Sequence, residues 1–122
     1  MRVFLVLAIA PLALAAVPPT DPQTSKDLRC FLAMSATAGS EDKTASLAGM
    51  IGAQYFLGRI DGRSPNLDLE SAIMAEASSL TDADLKALLQ SCGELMQDRG
   101  KAVKAIGERM EQKQPQSSSS SS

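Results

Sequence analysis

Apolar side chains recur every three to four residues through the middle of this chain, and no stretch alternates with period two, so the pattern predicts helices and no sheet. Thr24-Ser25-Lys26-Asp27 offers a capping box, with Asp27 at the third helical position. Leu28, Phe31, Leu32 and Ser35, with Cys30 and Met34 beside them, then mark a helix over about 25–38 that stops near Gly39. Ser40 precedes Glu41 and Asp42, and Leu47, Met50, Ile51, Phe56, Leu57 and Ile60 carry a second helix over about 41–61, with Gly62 past its end. Arg63-Ser64-Pro65-Asn66 reads as a turn. Asn66 or Asp68 caps a third helix through Leu69, Ala72, Ile73, Ala77 and Leu80. Thr81-Asp82-Ala83-Asp84 opens the longest pattern, one helix over about 82–111. The expected fold is all-α, a small four-helix domain.

Small residues modify that picture. Ala45, Ala48, Gly49, Gly52 and Ala53 cluster in the second helix, and Gly93, Gly100 and Gly107 repeat at intervals of seven in the fourth. A period of seven keeps them near one face, and a glycine inside a helix costs about 1 kcal/mol against alanine. The stripe is therefore expected where another backbone comes close, in the monomer or from a partner helix.

The ends follow a different pattern. Met1-Arg2 precedes an apolar run from Val3 to Leu14 and the sequence Ala13-Leu14-Ala15-Ala16, which reads as a signal peptide over 1–15, cut after Ala15 with Ala16 or Val17 as neighbouring choices. The run is shorter than the roughly 20 residues of a membrane span and contains Pro11, so no stable membrane anchor is expected after cleavage. Residues 16–24 read as a Pro-rich linker, 25–111 as the helical domain and 112–122 as a disordered Ser-rich tail.

An exported chain with two cysteines is most simply read as carrying one disulfide, Cys30 to Cys92, between the first and fourth helices. A periplasmic or secreted location follows from the same two signals. Removing the first 15 residues leaves 11 basic against 14 acidic side chains with no basic run, and only Phe31, Tyr55 and Phe56 are aromatic. That argues against a nucleic-acid partner, which selects for basic surfaces and stacking platforms.

Candidate chemistry is sparse. The chain has no histidine, which removes Ser-His-Asp and Cys-His catalysis and every histidine zinc site. No phosphate-binding glycine loop is present, and the methionines follow the apolar stripes as core filler. Carboxylate pairs such as Asp61 with Glu70, or Asp82 with Asp84, occupy cap and surface positions. No catalytic residue, metal ligand or cofactor is expected. The one segment that stands out is Tyr55 to Arg63, where Tyr55, Arg59, Asp61 and Arg63 form a candidate interaction patch of the residue types that anchor interfaces. Arg59 is expected to pair with Asp61 or Asp68, or simply to offset the helix dipole.

Tyr55-x-Leu57-Gly58-x-x-Asp61-Gly62 resembles a segment of the small helical periplasmic immunity proteins of type VI secretion, the Rap/Tai-like kind, although Gly52 and Gln54 stand where that pattern has Cys and Gly. Cys30-Phe31-Leu32 resembles the start of the disulfide in acid-stress chaperones of the HdeA type. Over its whole length the chain is similar to small exported one-disulfide helical bacterial proteins. The sequence thus leads to the expectation of a non-enzymatic exported interaction module, inhibitory or accessory, with an unidentified protein partner. The alternative is an acid-stress holdase, and a homodimer stays open.

Overall fold

The computed structural model describes residues 21–115. The expected signal peptide, linker residues 16–20 and tail residues 116–122 lie outside that range. Within it the chain forms α1 (Pro22–Ala38), α2 (Lys43–Arg63), α3 (Leu69–Ser79) and α4 (Asp82–Lys113). There is no strand among the described residues. None of these helices is long and apolar enough to cross a membrane.

Each helix starts on a side chain that satisfies a free backbone N–H. Asp21 caps α1, its carboxylate accepting from the Thr24 N–H at 3.2 Å. Pro22 takes a position in the first turn where its missing N–H costs nothing. The helix therefore begins three residues before the sequence pattern suggested, and Asp27 serves as no cap. Asp42, rather than Ser40, caps α2, accepting from the Ala45 N–H at 2.9 Å. Asp68 caps α3, as one of the two expected choices. Thr81 and Asp84 close a reciprocal box at the start of α4.

α1 stops after Ala38 at Gly39 as expected, but the stops of α2 and α4 differ from expectation. Gly62 lies inside α2, which runs on to Arg63 and ends at Ser64, before Pro65 disfavours a further helical residue. No glycine among the described residues has a positive φ, so none of these ends uses a left-handed glycine cap. α4 continues to Lys113, past the boundary assigned to the tail.

α1 is the hub, packing against the other three helices. Cys30, Met34, Ala53, Phe56 and Cys92 form one core cluster, and Leu28, Ile60 and Ala72 the other, with Phe31 touching both. The Cys30–Cys92 disulfide ties α1 to α4 with a Cα–Cα distance of 5.6 Å. Cys92 is the only buried residue of α4.

Close helix approach occurs at Gly49 and Gly52 of α2. A Cβ on Gly49 would meet backbone atoms of α1, Met34 O at 2.7 Å and Thr37 C at 2.8 Å among them. At Gly52 it would run into the Met34 side chain, Sδ at 2.6 Å. The glycine stripe of α4 behaves otherwise: nothing lies within 4 Å of a Cβ on Gly93, Gly100 or Gly107. Close packing within the monomer at these three positions is thus ruled out. The fourth helix touches the bundle mainly through its first half, so its later glycines have no backbone to approach. Beyond Met96, residues 97–113 are exposed save for half-buried Ala102 and Ala105, leaving roughly 25 Å of uncovered helix.

Candidate functional site

Tyr55, Arg59 and Arg63 are spaced by four and share one face of α2. That face turns toward Asp27 of α1, a residue only 2% exposed. Arg59 Nε donates to Asp27 Oδ1 at 3.0 Å, and Arg63 Nη1 donates to Oδ2 at 2.6 Å. Arg59 Nη1 also donates to the Tyr55 hydroxyl at 3.2 Å, and its guanidinium carbon lies 5.7 Å from the Tyr55 ring centre. Tyr55 in turn meets Phe56 edge-on, with ring centres 5.0 Å apart. The Tyr55 hydroxyl and then the Asp27 carboxylate raise the Arg59 pKa above its ordinary value, against the opposing effect of burial.

Two of the four patch residues, Arg59 and Arg63, therefore converge on a buried carboxylate, and Tyr55 joins them through Arg59. Asp61 does not join them. Two residues from Arg59 along a helix, it points to the far side of α2 and is exposed. The Arg59 pairings with Asp61 or Asp68 do not form, because Asp27 lies on the face Arg59 points to. Asp68 instead accepts from the Ser71 N–H and hydroxyl at 3.2 and 2.8 Å, which lower its pKa.

Asp27 is the residue that sequence reading misplaced. Its signal was its position among Thr24, Leu28 and Phe31 on the apolar stripe of α1, where an unpaired carboxylate is unfavourable and demands a cation. Thr24, itself fully buried, shares a hydroxyl contact of 2.9 Å with Ser64, fastening the start of α1 to the end of α2. Glu76 of α3 makes the third link to α1, accepting from the Ser25 hydroxyl and from Arg29 Nε, the latter at 2.8 Å. Burial pushes the Glu76 pKa up, but the Ser25 and Arg29 bonds outweigh it and hold the carboxyl below its ordinary value.

Beside this network a cavity of about 470 Å³ opens between α1, α2 and α4. Lys26, Arg29 and Arg59 line it together with Asp27, Leu88, Leu95 and the disulfide. Both oxygens of Asp27 are engaged by guanidinium groups. Among the described residues no three Cys, Asp or Glu side chains converge to hold a metal ion. Comparison with protein-family models, curated proteins and solved structures gives no match to this chain.

Proposed function

We propose that this protein is a non-enzymatic exported interaction module, working in the periplasm or outside the cell, that binds a protein through two apolar helix faces. The observation that carries this reading is the exposure of large apolar side chains in two groups. On α2, Leu47, Met50 and Ile51 are 59%, 57% and 56% exposed. On α4, Val103, Ile106 and Met110 are 66%, 47% and 58% exposed. Each group falls on one helix face, at the spacing by which amphipathic helices dock into partners. Contiguous exposed apolar surface on a small domain marks an interaction site, whereas scattered single residues do not.

The Tyr55–Arg59–Arg63 face loses weight in this reading, since Asp27 already holds both arginines. The compartment rests on the disulfide, which oxidising compartments favour, and on the apolar N-terminal run. Aspartate placed at Leu47 and at Ile106 tests the reading, because both sites are exposed and the fold should tolerate the change. Loss of the protein that co-purifies with the wild-type chain, at unchanged melting temperature, is the expected result. Retention of that protein by the double variant would overturn it.

A further inference from the structure

We infer that the partner of the uncovered end of α4 is a second copy of this chain, the basic end of one α4 lying along the outward face of α2 in the other. This rests on the reading of those faces as interaction surfaces and names what covers them.

The charge distribution supplies the first argument. Residues 98–113 hold five Lys and Arg against three Asp and Glu, whereas residues 21–97 hold six against eleven. A basic rod thus extends from an acidic body, and the nearest source of a complementary surface is the same protein. The local arrangement repeats the asymmetry. The outward ridge of α2 runs through Leu47, Ile51 and Gly58, directly opposite the face that carries Gly49, Phe56 and Ile60 into the core. Glu41 and Asp42 stand at one end of the ridge and Asp61 at the other, with Lys43 the single base among them. Along α4, Arg99 and Lys113 lie at the two ends of the Val103–Ile106–Met110 strip, with Arg109 and Glu111 about a quarter-turn to either side. Acid therefore stands at both ends of one apolar strip and base at both ends of the other.

Two α4 ends pairing with each other would leave this complementarity unused. That arrangement sets two net-positive segments together and places Arg99 and Lys113 in its own seam. Pairing α4 with α2 of the second copy covers both exposed groups at once. A two-fold axis then makes the contact twice. Gly100 and Gly107 border the α4 strip with open space where a Cβ would stand, so a neighbouring helix can come close on that side.

The area sets the strength. Sixteen residues make a strip about 24 Å long and about 10 Å wide, and two such contacts bury roughly 1,000 Å² over both copies. Stable complexes bury about 1,200–2,000 Å², so the dimer is weak and concentration-dependent.

Sedimentation velocity on the full disulfide-bonded protein, over roughly 5 μM to 1 mM, tests this. The sedimentation coefficient should rise with concentration. Ile106→Asp and Leu47→Asp should each abolish the rise at unchanged melting temperature, and high salt should weaken it. Cysteines then identify the contact. A mixture of Ile51→Cys and Ile106→Cys proteins should form the mixed disulfide faster than either protein alone forms its own. A chain that stays monomeric throughout, or an Ile106→Cys protein that links to itself faster than to Ile51→Cys, would overturn the proposal. A strict monomer that still loses its co-purifying protein on aspartate substitution would separate failure of self-association from failure of the interaction reading.

Discussion

A single added methyl group should have opposite effects at two glycines of this fold. At Gly49 the new Cβ of alanine would lie 2.7 Å from Met34 O and 2.8 Å from Thr37 C, both backbone atoms of α1. Ordinary contact begins near 3.4 Å, so α1 and α2 would have to separate by more than half an ångström along their closest approach. Overpacking of this kind costs about 1–3 kcal/mol, and backbone neighbours put it at the upper end. Alanine's better helix propensity returns about 1 kcal/mol, leaving a net loss of about 2 kcal/mol. For a domain of this size that lowers the melting temperature by about 10 °C. At Gly100 nothing lies within 4 Å, so Gly100→Ala keeps the propensity gain alone, at most about 1 kcal/mol and a rise of a few degrees. Thermal unfolding by circular dichroism of the two variants against wild type, with the disulfide intact, reads both. If Gly49→Ala raised the melting temperature, or Gly100→Ala lowered it, the assignment of close packing to α2 and open space to α4 would be refuted.

The disulfide closes a separation of 62 residues, and on the loop-entropy model its loss removes about 4 kcal/mol. The Cys30→Ala, Cys92→Ala double variant should thus melt far below wild type, and equal melting of the two would contradict the role given to the bond. Asp27→Asn leaves two arginines without their carboxylate. Their side chains are 28% and 36% exposed and can turn partly to water, so the expected loss is about 2 kcal/mol by chemical denaturation, and a loss under about 0.5 kcal/mol would be a failure. Asp68, Glu76 and Asp84 have folded pKa values below their ordinary ones, so their stabilisation is present above the unfolded value near 4 and fades as pH falls through the folded values. With no histidine to titrate, a pH series of melting temperatures should be flat from about 5.5 to 7.5 and fall below about 4.5, and a step near 6.5 would count against it.

Local signals in the sequence carried the helices and the covalent staple. The Thr81–Asp84 box, the Asp68 cap and the lone cysteine pair each act through neighbours in sequence or by elimination, so they are legible without coordinates. Proline misled in one place. Pro22 resembles linker sequence beside Pro18 and Pro19, yet it opens α1 because the first turn needs no N–H from it. The glycines show the limit of periodicity. An interval of seven places Gly93, Gly100 and Gly107 on one face but cannot say whether anything faces it, whereas the less regular Gly49 and Gly52 stand against another helix. The candidate patch was half visible for the same reason. Spacing of four puts Tyr55, Arg59 and Arg63 together and sends Asp61 elsewhere, but Asp27, the partner of the two arginines, is some thirty residues away and only the packing of α1 on α2 brings it near.

The most direct test of the interaction reading is site-specific photo-crosslinking in the cell that makes this protein. A photoreactive side chain at Ile106, on the uncovered face of α4, is compared with one at Glu70, an exposed position of α3 outside both apolar faces. The account expects protein adducts from position 106, to a second copy or to another chain, and none from position 70. Absence of adducts at position 106, or equal labelling at both positions, would contradict it.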